Sequence, residues 1–362
     1  MKLSPDIEIK PIDREHVYYR HIRGRSLIYL EHNVWIDLEE GKYSEVLLLL
    51  RELKQRGRIL CPLSFATVEE LLDQPTQELR ERRAALMDEL SDGIIIRDPF
   101  VREQNEVLSL FSGQNRSQAL WEQGYTFAVE FLGDMVIRPA DRSLLAQKVA
   151  EFCANHMQSA NEIRSVLWLV RHLDLGIFHE NHKQHLQDYL QRIQADLDET
   201  RPKLQAINKA NRREHALHEM RMRQFVTYSK YIGKESIFDS QNEPIRATSS
   251  ERRIFSLIKE HQTTQDERVK RRIIAELFHQ IPTVELRHQY YVGAYLGNRN
   301  PKPQDFYDVE HLVTIPYVHF FVNADGYVLQ TLKATNIPQQ CGCEIVPGVS
   351  HLLGHLGSLM KV

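Results

Sequence analysis

Apolar and polar positions divide the chain into three stretches with different periodicities. Between residues 26 and 75, short apolar runs alternate with amphipathic ones. Residues 26–30 form an apolar run bounded by charge, as a buried strand does. Val46, Leu47, Leu49, Leu50 and Leu53 recur at helical spacing over residues 43–55 and stop before Gly57. Residues 58–63 read as a second strand, and Ser64 stands where it can cap a helix over 65–72. Strand, helix, strand, helix predicts a parallel sheet with right-handed crossovers.

From about residue 75 to about 290 the pattern becomes long, charged and amphipathic. A strand at 93–96 interrupts it, and helices are expected at 131–136, 144–157 and 163–173. Residues 182–231 are strongly helix-forming, with Pro202 as a kink or first-turn residue, and 241–250 read as a loop. Beyond 290 the first grammar returns. A helix begins at Asp305 and ends before Pro316, followed by a strand at 318–322, a helix at 326–333, a strand at 343–346 and a helix at 349–359. Residues 318–322 are apolar almost throughout, as in a central parallel strand. The expected architecture is an α/β domain over 26–75 and 290–362, split by a largely helical insertion over 76–289 and preceded by a polar arm, 1–25.

Composition narrows the classes. The chain has 362 residues, 42% hydrophobic and 26% charged, which is ample for a core in one large domain or two smaller ones. Its formal charge of -3 favours neither nucleic acid nor membrane in bulk, so any basic surface is local. No apolar run is long enough to span a bilayer and residues 1–6 have no signal-peptide core, so a cytoplasmic protein is expected. Four cysteines fit a reducing compartment, and Cys341-Gly342-Cys343 lacks the second pair that zinc needs.

Acidic residues fall where strands end or helices begin. Glu31 follows the run 26–30, Glu70 lies in the helix opened by Ser64, Asp308 sits in the first turn of its helix, and Asp325 follows the strand at 318–322. Open parallel sheets form their sites at the carboxyl ends of strands. Carboxylates gathered there repel one another unless a cation neutralises them, which makes a divalent metal site the first expectation and a hydrolase its consequence. Asp305 precedes Asp308 by three residues and can be a plain helix cap. Glu69 and Glu70 point about 100° apart on a helix, so at most one faces the site and the other is expected in solvent.

These segments resemble a known family. Residues 29–38, Tyr-Leu-Glu-His-Asn-Val-Trp-Ile-Asp-Leu, look like the opening motif of PIN-domain nucleases. Pro62-Leu63-Ser64 with Val68, Glu70 and Leu71 resembles the second motif; Asp308, His311 and Leu312, then Pro316, Tyr317, Phe321, Val322 and Asp325, resemble the third and fourth. The resemblance covers the two outer pieces and none of the middle. It implies a PIN-like parallel sheet flanked by helices and a Mg2+- or Mn2+-dependent endonuclease acting on RNA, less often on single-stranded DNA. Glu31, Glu70, Asp308 and Asp325 take the four acidic positions, Asn33 fixes the loop after the first strand, and Asp37, Asp305 and His311 are secondary candidates. By family analogy the role would be that of a toxin or antiviral effector.

The family carries aspartate where this chain has Glu31. The longer arm implies a rebuilt site, weaker metal binding, or a catalytically inactive scaffold that binds RNA or protein. Basic clusters include Lys209, Arg212 and Arg213 in one run and Arg252, Arg253, Lys259, Arg271 and Arg272 in another. They suit a phosphate backbone, or are solvated faces of helices. The insertion could also hold a regulatory protein or mediate homo-oligomers. Tyr290, Tyr291 and Tyr295 are expected to pack rather than stack on bases, and His179, His182 and His185 read as a solvated face.

Overall fold

The computed structural model describes residues 2–4, 7–8, 17–99, 101–103, 105–106, 124–127, 165–172, 175–232, 260–261, 263–296 and 300–360. Side chains are described from residue 17 onward, except those of 175–185 and 227–232. The expected helices at 131–136 and 144–157, the loop at 241–250, Arg252, Arg253, Lys259, and the side chains of His179, His182 and His185 lie outside these residues. One compact unit comprises Met1–Val101, Trp121–Asp188 and Phe306–Val362; the other comprises Arg102–Leu120 and Tyr189–Asp305.

In the first unit, β1 (Lys2–Ser4) and β2 (Ile7–Glu8) form an antiparallel pair within the expected arm. The apolar run Ser26–Leu30 is β3, the centre of the main sheet. It pairs in parallel with β4 (Ile59–Leu60) on one side and β8 (Phe320–Asn323) on the other, and β8 pairs in parallel with β9 (Glu344–Pro347). The order is β4-β3-β8-β9. The crossover from β3 therefore runs one way and that from β8 the other, which makes the β3/β8 boundary a topological switch point. Leu30 is in register with Val322, and Glu31 N–H continues the ladder to Val322 O at 3.3 Å.

The run at 58–63 is not one strand. Pro62 has no N–H to give a ladder, so pairing breaks there. The chain leaves the first sheet after Leu60 and enters a second as β5 (Leu63–Ser64), parallel to β6 (Ile94–Ile96), which pairs antiparallel with β7 (Tyr125–Phe127). Ser64 then caps the helix Phe65–Leu72, its hydroxyl accepting from Thr67 N–H at 3.1 Å. Helices Ser44–Gln55 and Val349–Leu359 pack on each other, with Val46, Leu50, Leu53, Val349, Leu352 and Leu356 buried in the same core as Ile28, Leu30 and Val322. The helix Gln77–Ser91 packs on Val166–His172, and Asp88 caps it from outside. The Asp88 carboxylate accepts from Val166 N–H at 2.8 Å, Leu167 N–H at 2.9 Å and the Ser165 hydroxyl at 2.5 Å.

The second unit is helical where described. Helices Arg212–Ile232, Glu267–Phe278 and Pro282–Leu296 pack together around Ala216, Ile273, Ile274, Phe278 and Val284. Arg221 forms a bidentate ion pair with the fully buried Glu285. Pro202 lies inside the helix Leu175–Gln205, three residues before its end, where the missing N–H costs one bond of the last turn. Tyr290, Tyr291 and Tyr295 are buried, as a packing role requires. Among the described residues no helix is long and apolar enough to cross a membrane.

Candidate functional site

The carboxyl ends of β3 and β8 are set by the two apolar runs, and the acids stand just beyond them. Glu31 occupies the N-cap position of the helix His32–Glu39 but gives that helix no side-chain cap. Its carboxylate instead accepts from Asn33 Nδ2 at 3.0 Å and is only 5% exposed. Burial raises its pKa, Glu70 and Asp308 raise it further, and His311 and Asn33 offset part of the effect. A raised carboxyl beside two others is the electrostatic mark of negative groups converging from separate elements.

Glu70 belongs to the helix that Ser64 caps. Its Oε2 lies 2.7 Å from His311 Nε2, and the other ring nitrogen, Nδ1, lies 2.5 Å from the Tyr29 hydroxyl. That hydroxyl also meets Ser64 Oγ at 2.7 Å and Thr67 Oγ1 at 3.1 Å. Tyr29 stacks on Phe321, so a tyrosine inside a buried strand delivers one polar atom to the end of a helix. Burial works against the charged form of His311, but Tyr29, Glu70 and Glu31 outweigh it and hold the imidazole well above its ordinary pKa. A proton held on this ring offsets the negative charge of Glu70, which it meets directly.

His32 behaves in the opposite way. Burial pushes it down to about 4, with His311 and Arg83 adding and Glu70 opposing. Gln74 Nε2 donates to His32 Nε2 at 3.1 Å, as a neutral ring allows. His32 Nδ1 is buried with no hydrogen-bond partner among the described residues.

The sequence-predicted acids therefore divide. Glu70, Asp308 and His311 each act electrostatically on Glu31, and Glu70 and Glu31 act on His311. Asp308 lies in the second turn of the helix Pro303–Leu312 rather than the first, because that helix starts earlier than Asp305. Asp325 is exposed and caps the helix Gly326–Lys333, its Oδ1 accepting from Tyr327 N–H and Val328 N–H, both at 2.8 Å. Asp37 lies in an exposed ion pair with Lys42 at 2.6 Å. Asp305 belongs to the second unit, where it accepts from Tyr290 OH at 3.0 Å and from Lys302 N–H at 2.8 Å. That backward bond is the third-position half of a capping box. Glu69 is buried, not in solvent: the helix Phe65–Leu72 is covered on nearly every side, leaving Glu70 the more accessible of the pair.

Among the described residues no three His, Cys, Asp or Glu side chains are gathered as a ready chelate for one ion. The donor set still suits a hard divalent cation. Glu31, Glu70 and Asp308 offer only carboxylate oxygens, and Mg2+ is commonly held by one or two carboxylates with the remaining positions taken by water. Tyr29 is the participant that periodicity alone does not single out. Its signal is a hydroxyl within an otherwise apolar strand, which must find a partner once buried.

Among the predicted basic residues, Arg212 donates to the carbonyls of Ile207 and Gln205, and Arg213 donates to Gln289 Oε1 at 2.6 Å. Lys209 is exposed, and Arg271 and Arg272 border a cavity in the second unit. No family model, curated protein or solved structure matches this chain.

Proposed function

We propose that the first unit is a PIN-like, divalent-cation-dependent endonuclease acting on single-stranded RNA. What supports this reading is that Glu70 and Asp308, from two other elements, both raise the pKa of the buried Glu31 at the carboxyl end of β3, beside a topological switch point. In this reading Glu31, Glu70 and Asp308 hold Mg2+ or Mn2+, and Asp325, which caps the helix after β8, is left out of the ligand set. A bound divalent ion supplies Lewis acidity and a water of lowered pKa for attack on a phosphodiester. The protein's own part is positional. Asn33 fixes the Glu31 carboxylate, while the Tyr29–His311 pair fixes that of Glu70.

A second reading, an inactive scaffold for RNA or protein, draws support from His311. An internal imidazolium already offsets the acids, and Glu31 carries one methylene more than the aspartate of the resembled motif. Cleavage of single-stranded RNA and DNA, with Mg2+, Mn2+ or EDTA, separates the two. Metal-dependent cleavage lost in Asp308→Asn supports the enzyme. Cleavage gained only in Glu31→Asp, or absent in every version, supports the scaffold.

A further inference from the structure

A cavity of about 660 Å3 lies within the second unit, between the helices Arg212–Ile232 and Glu267–Phe278. One wall presents Arg268, Arg271 and Arg272, which share a helix face because they are spaced three and four residues apart. The other wall presents His215, His218 and Arg221. Arg221 is spoken for, since its guanidinium is bound to the buried Glu285 carboxylate, and so forms a rigid backing. Neither Arg268 nor Arg271 forms an ion pair among the described residues, although the Arg271 charge acts on Glu267 one turn away. Arg271 only reaches His215 Nε2 at 3.4 Å, near the long limit of a hydrogen bond. Arg272 pairs with Glu260 at 3.2 Å, but both are solvent-exposed, and such a pair exchanges easily.

Two acids also border the cavity. Glu267 is drawn toward Lys270 at 2.8 Å and stays ionised, its pKa lowered by that hydrogen bond; Glu214 is the second. Arginine forks match phosphate oxygens geometrically, and the carboxylates offer acceptors that a bare phosphate cannot use but hydroxyl groups can. The volume lies in the range of small-molecule sites. Burial lowers the pKa of His218 and Arg271 lowers it further.

We infer that this cavity binds a phosphomonoester carrying sugar hydroxyls, with Arg268, Arg271 and Arg272 on the phosphate and Glu214 and Glu267 on the hydroxyls. It is a second site, independent of whether the acidic cluster of the first unit cleaves anything. A free nucleotide and the 5′-phosphate end of an RNA share this chemistry, and the experiment tells them apart.

Calorimetric titrations of the full chain use AMP, adenosine, and a short single-stranded RNA bearing either a 5′-phosphate or a 5′-hydroxyl, all in EDTA to silence any nuclease. Binding of AMP with none of adenosine assigns the site to free nucleotides. A tenfold or greater preference for the 5′-phosphate RNA, with AMP weak, assigns it to RNA ends; roughly one order of magnitude is what loss of a charge-assisted bidentate contact gives. In either case Arg271→Glu abolishes binding. Should Arg271→Glu fail to fold, the exposed Arg268→Ala carries the test and weakens binding several-fold. Equal binding of phosphorylated and unphosphorylated probes, no binding of any probe, or binding untouched by both substitutions overturns the inference.

Discussion

Tyr29 and His311 meet through a 2.5 Å hydrogen bond that closes a separation of 282 residues, joining the middle of β3 to the end of the helix Pro303–Leu312. The same hydroxyl holds Ser64 and Thr67, so one phenolic oxygen ties strand, cap and candidate site together. Tyr29→Phe removes that oxygen while preserving the stack on Phe321. Stranding the buried His311, Ser64 and Thr67 groups costs about 1–3 kcal/mol. The urea midpoint should fall accordingly with an unchanged m-value; an unshifted midpoint would show that the hydroxyl network adds nothing to stability.

Glu31 gives a prediction of opposite sign. Its folded-state pKa is raised above the ordinary 4.5, so its contribution is fully favourable below that value and is lost as pH rises through the folded one. Without metal, Glu31→Gln removes the charge, keeps an acceptor for Asn33 and should stabilise the protein at pH 7. The same variant should lose any rise in melting temperature that Mn2+ gives the parent. A variant that is less stable than the parent in EDTA would contradict the electrostatic account of this site.

His288, buried in the second unit beside Phe278, is pushed down to about 3 by burial, with Arg287 and Arg221 adding. Between pH 6.5 and about 3 the unfolded chain takes up a proton that the folded one refuses, so stability falls as pH falls. The slope from this group is about 1.4 kcal/mol per pH unit once the unfolded histidine is titrated. His288→Phe should flatten the dependence of stability on pH from 6 to 5 by most of that slope. Parallel curves for parent and variant would mean that this imidazole is protonated in the fold.

Asp88 caps a helix to which it does not belong. Asp88→Ala leaves Val166 N–H, Leu167 N–H and the Ser165 hydroxyl without their acceptor and should cost about 2 kcal/mol. Hydrogen exchange should report the loss first at the start of Val166–His172, before the parallel sheet responds. Uniformly faster exchange across the unit would argue against a local cap.

Much of the parallel sheet was readable because its signals are local. Ser26–Leu30 is bounded by charge, Ser64 precedes a helical pattern at capping distance, and Val349–Leu359 follows a helix period. What sequence reading missed depends on partners remote in the chain. Pro62 marks a break, but nothing nearby says that the pieces on either side join different sheets. Glu69 and Glu70 look equivalent until the packing around their helix buries the first. Tyr125–Phe127 is too short to stand out, and pairs only because Ile94–Ile96 offers it an edge. For the site, acids at element ends were legible, and Glu70 and Asp308 both act on the buried Glu31. Asp325 shows the limit: a residue just past a strand serves equally as a helix cap, and here its Oδ1 does so.

The central strand also fixes when, during synthesis, this sheet can be completed. β3 leaves the ribosome early with only β4 to pair against, while β8 follows some 290 residues later, the span bridged by the Leu27–His319 hydrogen bond. Until then Glu31 and Glu70 have emerged without Asp308 or His311, and half of the sheet's middle is open. A nascent chain thus lacks the second half of its sheet for most of translation, and Glu31 meets Asp308 and His311 only once the later segment has docked.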